Sequence, residues 1–277
     1  MKMKKICSLL MALTLAAGLF SGCGRQGEDG GKDKDAAAKG RYVEQEITLP
    51  EGAGEAVGIQ KQENGLELYT RNENGYHSYI YQNETWTDSG DIPWMTDARD
   101  RLGLPIDHIY SGKDGNIYGM AIPASDDVSY GQHILKDAGD GTALDCTPAP
   151  CLEVNEEGWT DLLVDMAVLE NGTMVLVDMN GMVKFYQGDK KIGEISEILP
   201  IVSDHQNVMA VSDERIAIFG KDRQSIEFYN QDNQEKTESV EVKQELVEAM
   251  LVPGEAGIWY LVNSKGIQRV TEQGSIV

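Results

Sequence analysis

Histidine and cysteine are scarce in these 277 residues, with four of each, and 24 basic side chains face 46 acidic ones. The resulting formal charge of −22 excludes the basic surface that nucleic acid or an anionic lipid face requires, because such a field repels both. The histidines, His77, His108, His133 and His205, are scattered without metal-ligand spacing. Asp137, Asp140 and Asp145 in "KDAGDGTALD" miss the alternating carboxylates of a calcium loop. No Gly-Lys-Ser/Thr phosphate loop, Gly-X-Ser-X-Gly elbow or His-Glu-X-X-His helix is present, so the sequence calls for no metal, no cofactor and no named catalytic residue.

Long apolar runs are also lacking, apart from residues 6–20, and that run is too short to span a bilayer, which needs about 20 apolar residues. It follows Lys2, Lys4 and Lys5 and ends in small residues, the layout of a secretory signal. The tail "LFSGC", ending at Cys23, resembles the lipobox of bacterial lipoproteins, although Phe20 stands where Leu is usual. The resemblance implies cleavage between Gly22 and Cys23 and a diacylglycerol thioether on Cys23, which would place the chain on the extracellular face of the cell membrane. An ordinary secreted chain with a coincidental cysteine is the alternative.

The organisation read from this is a signal peptide at 1–22, a lipidated cysteine and flexible acidic spacer at 23–41, and a folded domain at 42–277. Residues 24–40 hold no aromatic or β-branched side chain and cannot bury enough apolar surface to offset ordering. Seventeen such residues form a tether a few tens of ångströms long, at about 5–6 Å times the square root of length. Losing Lys2, Lys4 and Lys5 with the signal moves the charge from −22 to −25. Cys7 leaves with the signal too, so the folded part keeps Cys146 and Cys151 in "CTPAPC". An exported chain supports a disulfide across this short loop; two free thiols are the alternative.

The folded part repeats itself. "MAVLENGTMVLVDMNGMVKFYQ" begins at Met166, "MAVSDERIAIFGKDRQSIEFYN" 43 residues later at Met209, and "AMLVPGEAGIWYLVNSKGIQRV" 40 residues after that at Ala249. Each unit reads as short apolar strands separated by polar turns. Two more divergent units start at Val57 and Ile109, with loop insertions between them and the regular ones, and the third strand of the second unit is expected at 133–136. Three or four strands on a period of 40–45 residues is the pattern of β-propeller blades. The fold class is therefore all-β, a β-propeller of about five blades, with a β-sandwich as the alternative. The last unit runs out near Val277, where its fourth strand is needed. Either residues 42–49 supply an outer strand that closes the ring, or the chain is the front part of a longer protein, and the second reading is preferred.

The lipobox, acidic spacer and blade-like repeats together resemble the propeller-bearing lipoproteins of Gram-positive bacteria, some of which continue into an extracellular solute-binding domain. "YIYQNETW", from Tyr79 to Trp86, resembles a decayed Asp-box hairpin of sialidase-type propellers, of which only Thr85 and Trp86 match, and that motif is structural. Trp259 lies in an apolar strand and reads as core. Trp86, Trp94 and Trp159 lie in or near inserted loops and are the candidate ligand contacts, with simple loop packing as their alternative. The function expected is a lipid-anchored platform that binds an extracellular ligand or protein partner. The alternative is a glycan-active hydrolase or lyase, since propellers assemble sites from several blades.

Overall fold

The computed structural model describes residues 47–277 apart from 63–64, 124–130, 155, 157–159, 161, 197–206, 213–214, 222–223, 243–248, 255–256, 264–265, 272–273 and 277. The signal, Cys23 and the whole spacer lie outside the described residues.

Alternating apolar and polar residues broken by tight turns make consecutive antiparallel hairpins, and the chain repeats that solution in five four-stranded sheets. The first blade holds β1 (Glu55–Gln62), β2 (Gly65–Asn72), β3 (Gly75–Gln82) and β4 (Thr85–Asp91). A helix, α1 (Pro93–Leu102), leads to the second blade, β5 (Ile106–Ser111), β6 (Ile117–Ala121), β7 (His133–Asp137) and β8 (Ala143–Asp145). The third holds β9 (Leu163–Val168), β10 (Met174–Asp178), β11 (Val183–Gln187) and β12 (Lys190–Ile195). The fourth holds β13 (Met209–Val211), β14 (Arg215–Phe219), β15 (Ser225–Asn230) and β16 (Lys236–Glu241). The fifth holds β17 (Met250–Pro253), β18 (Ile258–Asn263), β19 (Gly266–Thr271) and β20 (Gly274–Ile276).

Strand order within each sheet follows the chain, and β1, β5, β9, β13 and β17 touch one another in that sequence. The sheets form a five-bladed β-propeller with these first strands innermost. Central strands are apolar on both faces, as in Ile216–Phe219 of β14, because each blade is covered by a neighbour on either side. Fourth strands such as β12 and β16 are polar and mostly exposed. Turns are set by local chemistry: Gly172 adopts φ +79° between β9 and β10, where the Asn171 carboxamide accepts from Thr173 N at 3.0 Å.

Three apolar clusters join the blades. Tyr69, Tyr76, Ile106 and Leu135 join the first to the second; Met120, Ile134, Leu163 and Leu176 join the second to the third; Phe185, Phe219, Phe228 and Trp259 belong to a cluster running through the third, fourth and fifth. Each fully buried large side chain contributes about 1.5–3 kcal/mol. Polar latches cross the same seams. Tyr76 Oη donates to Ile106 O at 3.0 Å and accepts from Ile106 N at 2.6 Å, Lys113 N donates to Val168 O at 2.8 Å, and Leu251 N donates to Asn207 O at 2.8 Å. Gly58 lets β1 approach β5, since a Cβ there would lie 2.8 Å from Ile109 Cβ.

Several expectations change here. The fifth blade has a fourth strand of its own, the short β20, so it does not need one from elsewhere. Residues 47–50 form no strand, and the rest of 42–49 lies outside the described residues. The segment read as a loop insertion after the first blade is α1, with Pro93 in its first turn and Gly103 closing it at φ +70°. Its buried face, Trp94, Met95 and Ala98, packs into the first cluster. Asp97 accepts from Ala143 N at 2.8 Å, and Arg101 donates to Ala143 O at 2.9 Å, which ties the helix to β8.

Candidate functional site

Along β3, His77, Tyr79 and Tyr81 share one face by simple alternation. The pairing register sets Thr70, Leu68 and Leu66 beside them on β2, and Asp91, Asp88 and Trp86 beside them on β4. A register shift between Ser78 and Tyr79 gives β4 one extra residue, and this bulge turns Asp88 and Asp91, three apart in sequence, to the same face. The Asn83-Glu84 turn that joins the strands has positive φ at both residues, 50° and 61°, as a primed hairpin turn requires. The hairpin expected from "YIYQNETW" is therefore present.

The three rows form a ladder. Leu66 and Leu68 are buried at its inner side, the rings of Tyr79, Tyr81 and Trp86 are half-buried, and Asp88 and Asp91 are exposed. Tyr81 and Trp86 stand with ring centroids 4.9 Å apart, inclined at 53°, and His77 and Tyr79 are likewise 4.9 Å apart. His77 bridges the carboxylates: Nδ1 lies 3.0 Å from Asp91 Oδ1 and Nε2 lies 2.7 Å from Asp88 Oδ1. Both ring nitrogens can donate at once only in the imidazolium form. Burial works against that charge, but the hydrogen bonds to Asp91 and Asp88 outweigh it and raise the pKa of His77 above 6.5. The arrangement offers inclined π-faces beside paired carboxylates, which suits stacking and cation binding rather than nucleophilic attack.

The expected site residues are dispersed. Trp86 lies in the ladder. Trp94 is only 5% exposed on the buried face of α1 and packs the seam between the first two blades. Trp159, Gly22, Cys23 and His205 lie outside the described residues. Trp259 is buried in the core, against Phe228 at 4.7 Å. The structure places no disulfide between Cys146 and Cys151. Cys146 Sγ donates to Ile134 O at 3.2 Å, and Cys151 is buried on the short 3-10 turn Ala149–Leu152. Burial pushes the Cys146 thiol up to about 12, which keeps it protonated and unreactive. His133 pairs with Asp145 at 2.6 Å, a link between neighbouring strands β7 and β8. Among the described residues, no three His, Cys, Asp or Glu side chains converge as metal ligands.

One buried ionisable group was missed in the sequence. Asp165 sits in the apolar strand "LVDMAV", where a single charge amid hydrophobic residues was the available signal. Its Oδ1 accepts from Met166 N at 2.8 Å and its Oδ2 from Met209 N at 2.9 Å, which latches β9 to β13 of the next blade. Desolvation pushes its pKa up to about 8, against the lowering effect of backbone N–H groups of Met209, Met166 and Val208.

No protein-family model matches the chain, and no curated protein sequence matches it. Among solved structures, a catalytically inactive virginiamycin B lyase from Staphylococcus aureus, crystallised with quinupristin, aligns at a TM-score of 0.50 with 15% identity, over 84% of this chain and 72% of that one. The Pan2 WD40 domain of Neurospora crassa aligns at 0.44 with 12% identity, over 80% of this chain and 77% of that one. Apo AztD from Citrobacter koseri aligns at 0.42 with 12% identity, over 69% of this chain and 48% of that one. At such identities the lyase shares the fold alone, and the chain is a β-propeller.

Proposed function

We propose that this chain is an exported lipoprotein, held at the outer face of the cell membrane by a lipid on Cys23, and that its propeller is a rigid binding platform with the ladder on the first blade as its contact surface. The observation that carries the reading is the ladder itself, in which three half-buried aromatic rings share one face of a sheet pinned to the next blade by Tyr76 and Arg71. Ordered rings on a rigid element lose little entropy on binding, which is what a contact surface needs. The flexible spacer after Cys23 would hold that surface clear of the bilayer.

Two experiments test it. Metabolic labelling with a palmitate analogue is expected to mark the wild type and not Cys23→Ala; equal labelling of both would overturn the anchor. Screening the protein against arrays of extracellular glycans and peptides is expected to give signals that Trp86→Ala weakens. Signals unchanged in that variant would overturn the ladder as the contact surface.

A further inference from the structure

The ladder's chemistry narrows what it can hold, and this step rests on the reading of that face as the contact surface. We propose that the ladder binds a cationic polypeptide segment, a lysine or arginine side chain lying against the Tyr81–Trp86 pair and a second cation reaching Asp88 and Asp91, with His77 acting as an internal competitor for those carboxylates.

Three features support this occupant. The rings of Tyr81 and Trp86 pack against each other at 4.9 Å and are only half-buried, so the exposed side of the pair gives an ammonium or guanidinium group a π-surface to lie on. Asp88 and Asp91 are exposed at 66% and 89% of their side chains, and both lie on the same face as the rings. The whole chain carries −22, a long-range field that draws a basic segment in and repels an acidic one.

His77 sets the pH response. The groups facing it are Asp88 and Asp91 from β4, Thr70 from β2 and the Tyr79 ring on its own strand. While His77 is protonated, the trio with its two carboxylates carries one net negative charge. Once His77 releases its proton, that rises to two, and the carboxylates turn to an incoming cation. Affinity for a basic segment should therefore increase with pH, opposite to what a binding site built on a protonated histidine would show.

The test is calorimetric titration of the full chain with a short lysine-rich peptide and with its Nε-acetylated counterpart, at low salt, from about pH 6 to about pH 9. The unmodified peptide is expected to bind, and the acetylated one is not. Trp86→Ala should weaken binding about two- to fivefold, and the double variant Asp88→Asn/Asp91→Asn should weaken it further. Glu238→Gln/Glu241→Gln, which removes the same charge from the exposed strand β16, should leave it unchanged. His77→Gln should flatten the rise with pH. Equal losses from the two double variants would reduce the effect to net charge and overturn the proposal. Binding of neutral oligosaccharides that Trp86→Ala abolishes, with none of the lysine peptide, would overturn the cationic partner while leaving the platform standing. Melting of each variant within a few degrees of the wild type confirms that the sheet is intact.

Discussion

Asp165 gives the structure its sharpest consequence for stability. Its carboxyl titrates near 8 in the folded protein against 3.8 for an ordinary aspartate, because it is buried on β9 with only backbone N–H groups for partners. Between those two values the folded state holds a proton that the unfolded state has released, so stability falls as pH rises, by about 1.4 kcal/mol per pH unit, and levels off above the folded value. From about pH 5 to about pH 8 the loss is roughly 3–4 kcal/mol. Asp165→Asn keeps the shape and cannot ionise. It gives up one acceptor, since its amide nitrogen must face one of the N–H groups of Met166 and Met209, and that cost does not vary with pH. Urea unfolding of both proteins across this range isolates Asp165, because every other titrating group cancels in the difference. The stability of the wild type minus that of the variant should shrink steadily by roughly 3–4 kcal/mol as the pH rises. A difference that stays constant, or grows with pH, would mean that the three N–H donors keep Asp165 ionised throughout and would refute the reasoning.

Other perturbations probe the seams between blades. Tyr76→Phe removes both the acceptor for Ile106 N and a donor to its carbonyl, and should cost about 1–3 kcal/mol in denaturant unfolding; no change would mean that the latch is incidental. Gly58→Ala places a Cβ 2.8 Å from that of Ile109 and should destabilise by about 1–3 kcal/mol, read as a lowered melting temperature. Iodoacetamide at neutral pH should leave Cys146 and Cys151 unmodified until denaturant is added, as followed by peptide mapping; rapid labelling of the native protein would contradict the burial of Cys151 or the raised pKa of the half-buried Cys146.

The propeller was legible because every blade makes the same local demand. Met166 and Met209, 43 residues apart, fall in the equivalent strands β9 and β13, and the apolar stretches 174–177 and 216–219 fill equivalent central strands. Helix α1 was not legible. Its ten residues show weak apolar periodicity, and Pro93 and Gly103 mark its ends only once a helix is already suspected. The ladder was half legible. Alternation alone puts Tyr79 and Tyr81 on one face, but joining His77 to Asp88 and Asp91 depends on a bulge that spacing does not announce. Asp165 and Met209 are 44 residues apart, and only the contact between blades brings them together.

That every blade is a hairpin meander touching its sequence neighbours has a further consequence, for how the chain acquires its structure. Most strand pairings close loops of a few residues, so little entropy is lost before each sheet forms, and growth can proceed blade upon blade. Among the described residues, the cluster through the third, fourth and fifth blades is the largest block of buried apolar side chains. In such a molecule each segment finds its partners close by in sequence, and within a blade no distant strand has to be awaited.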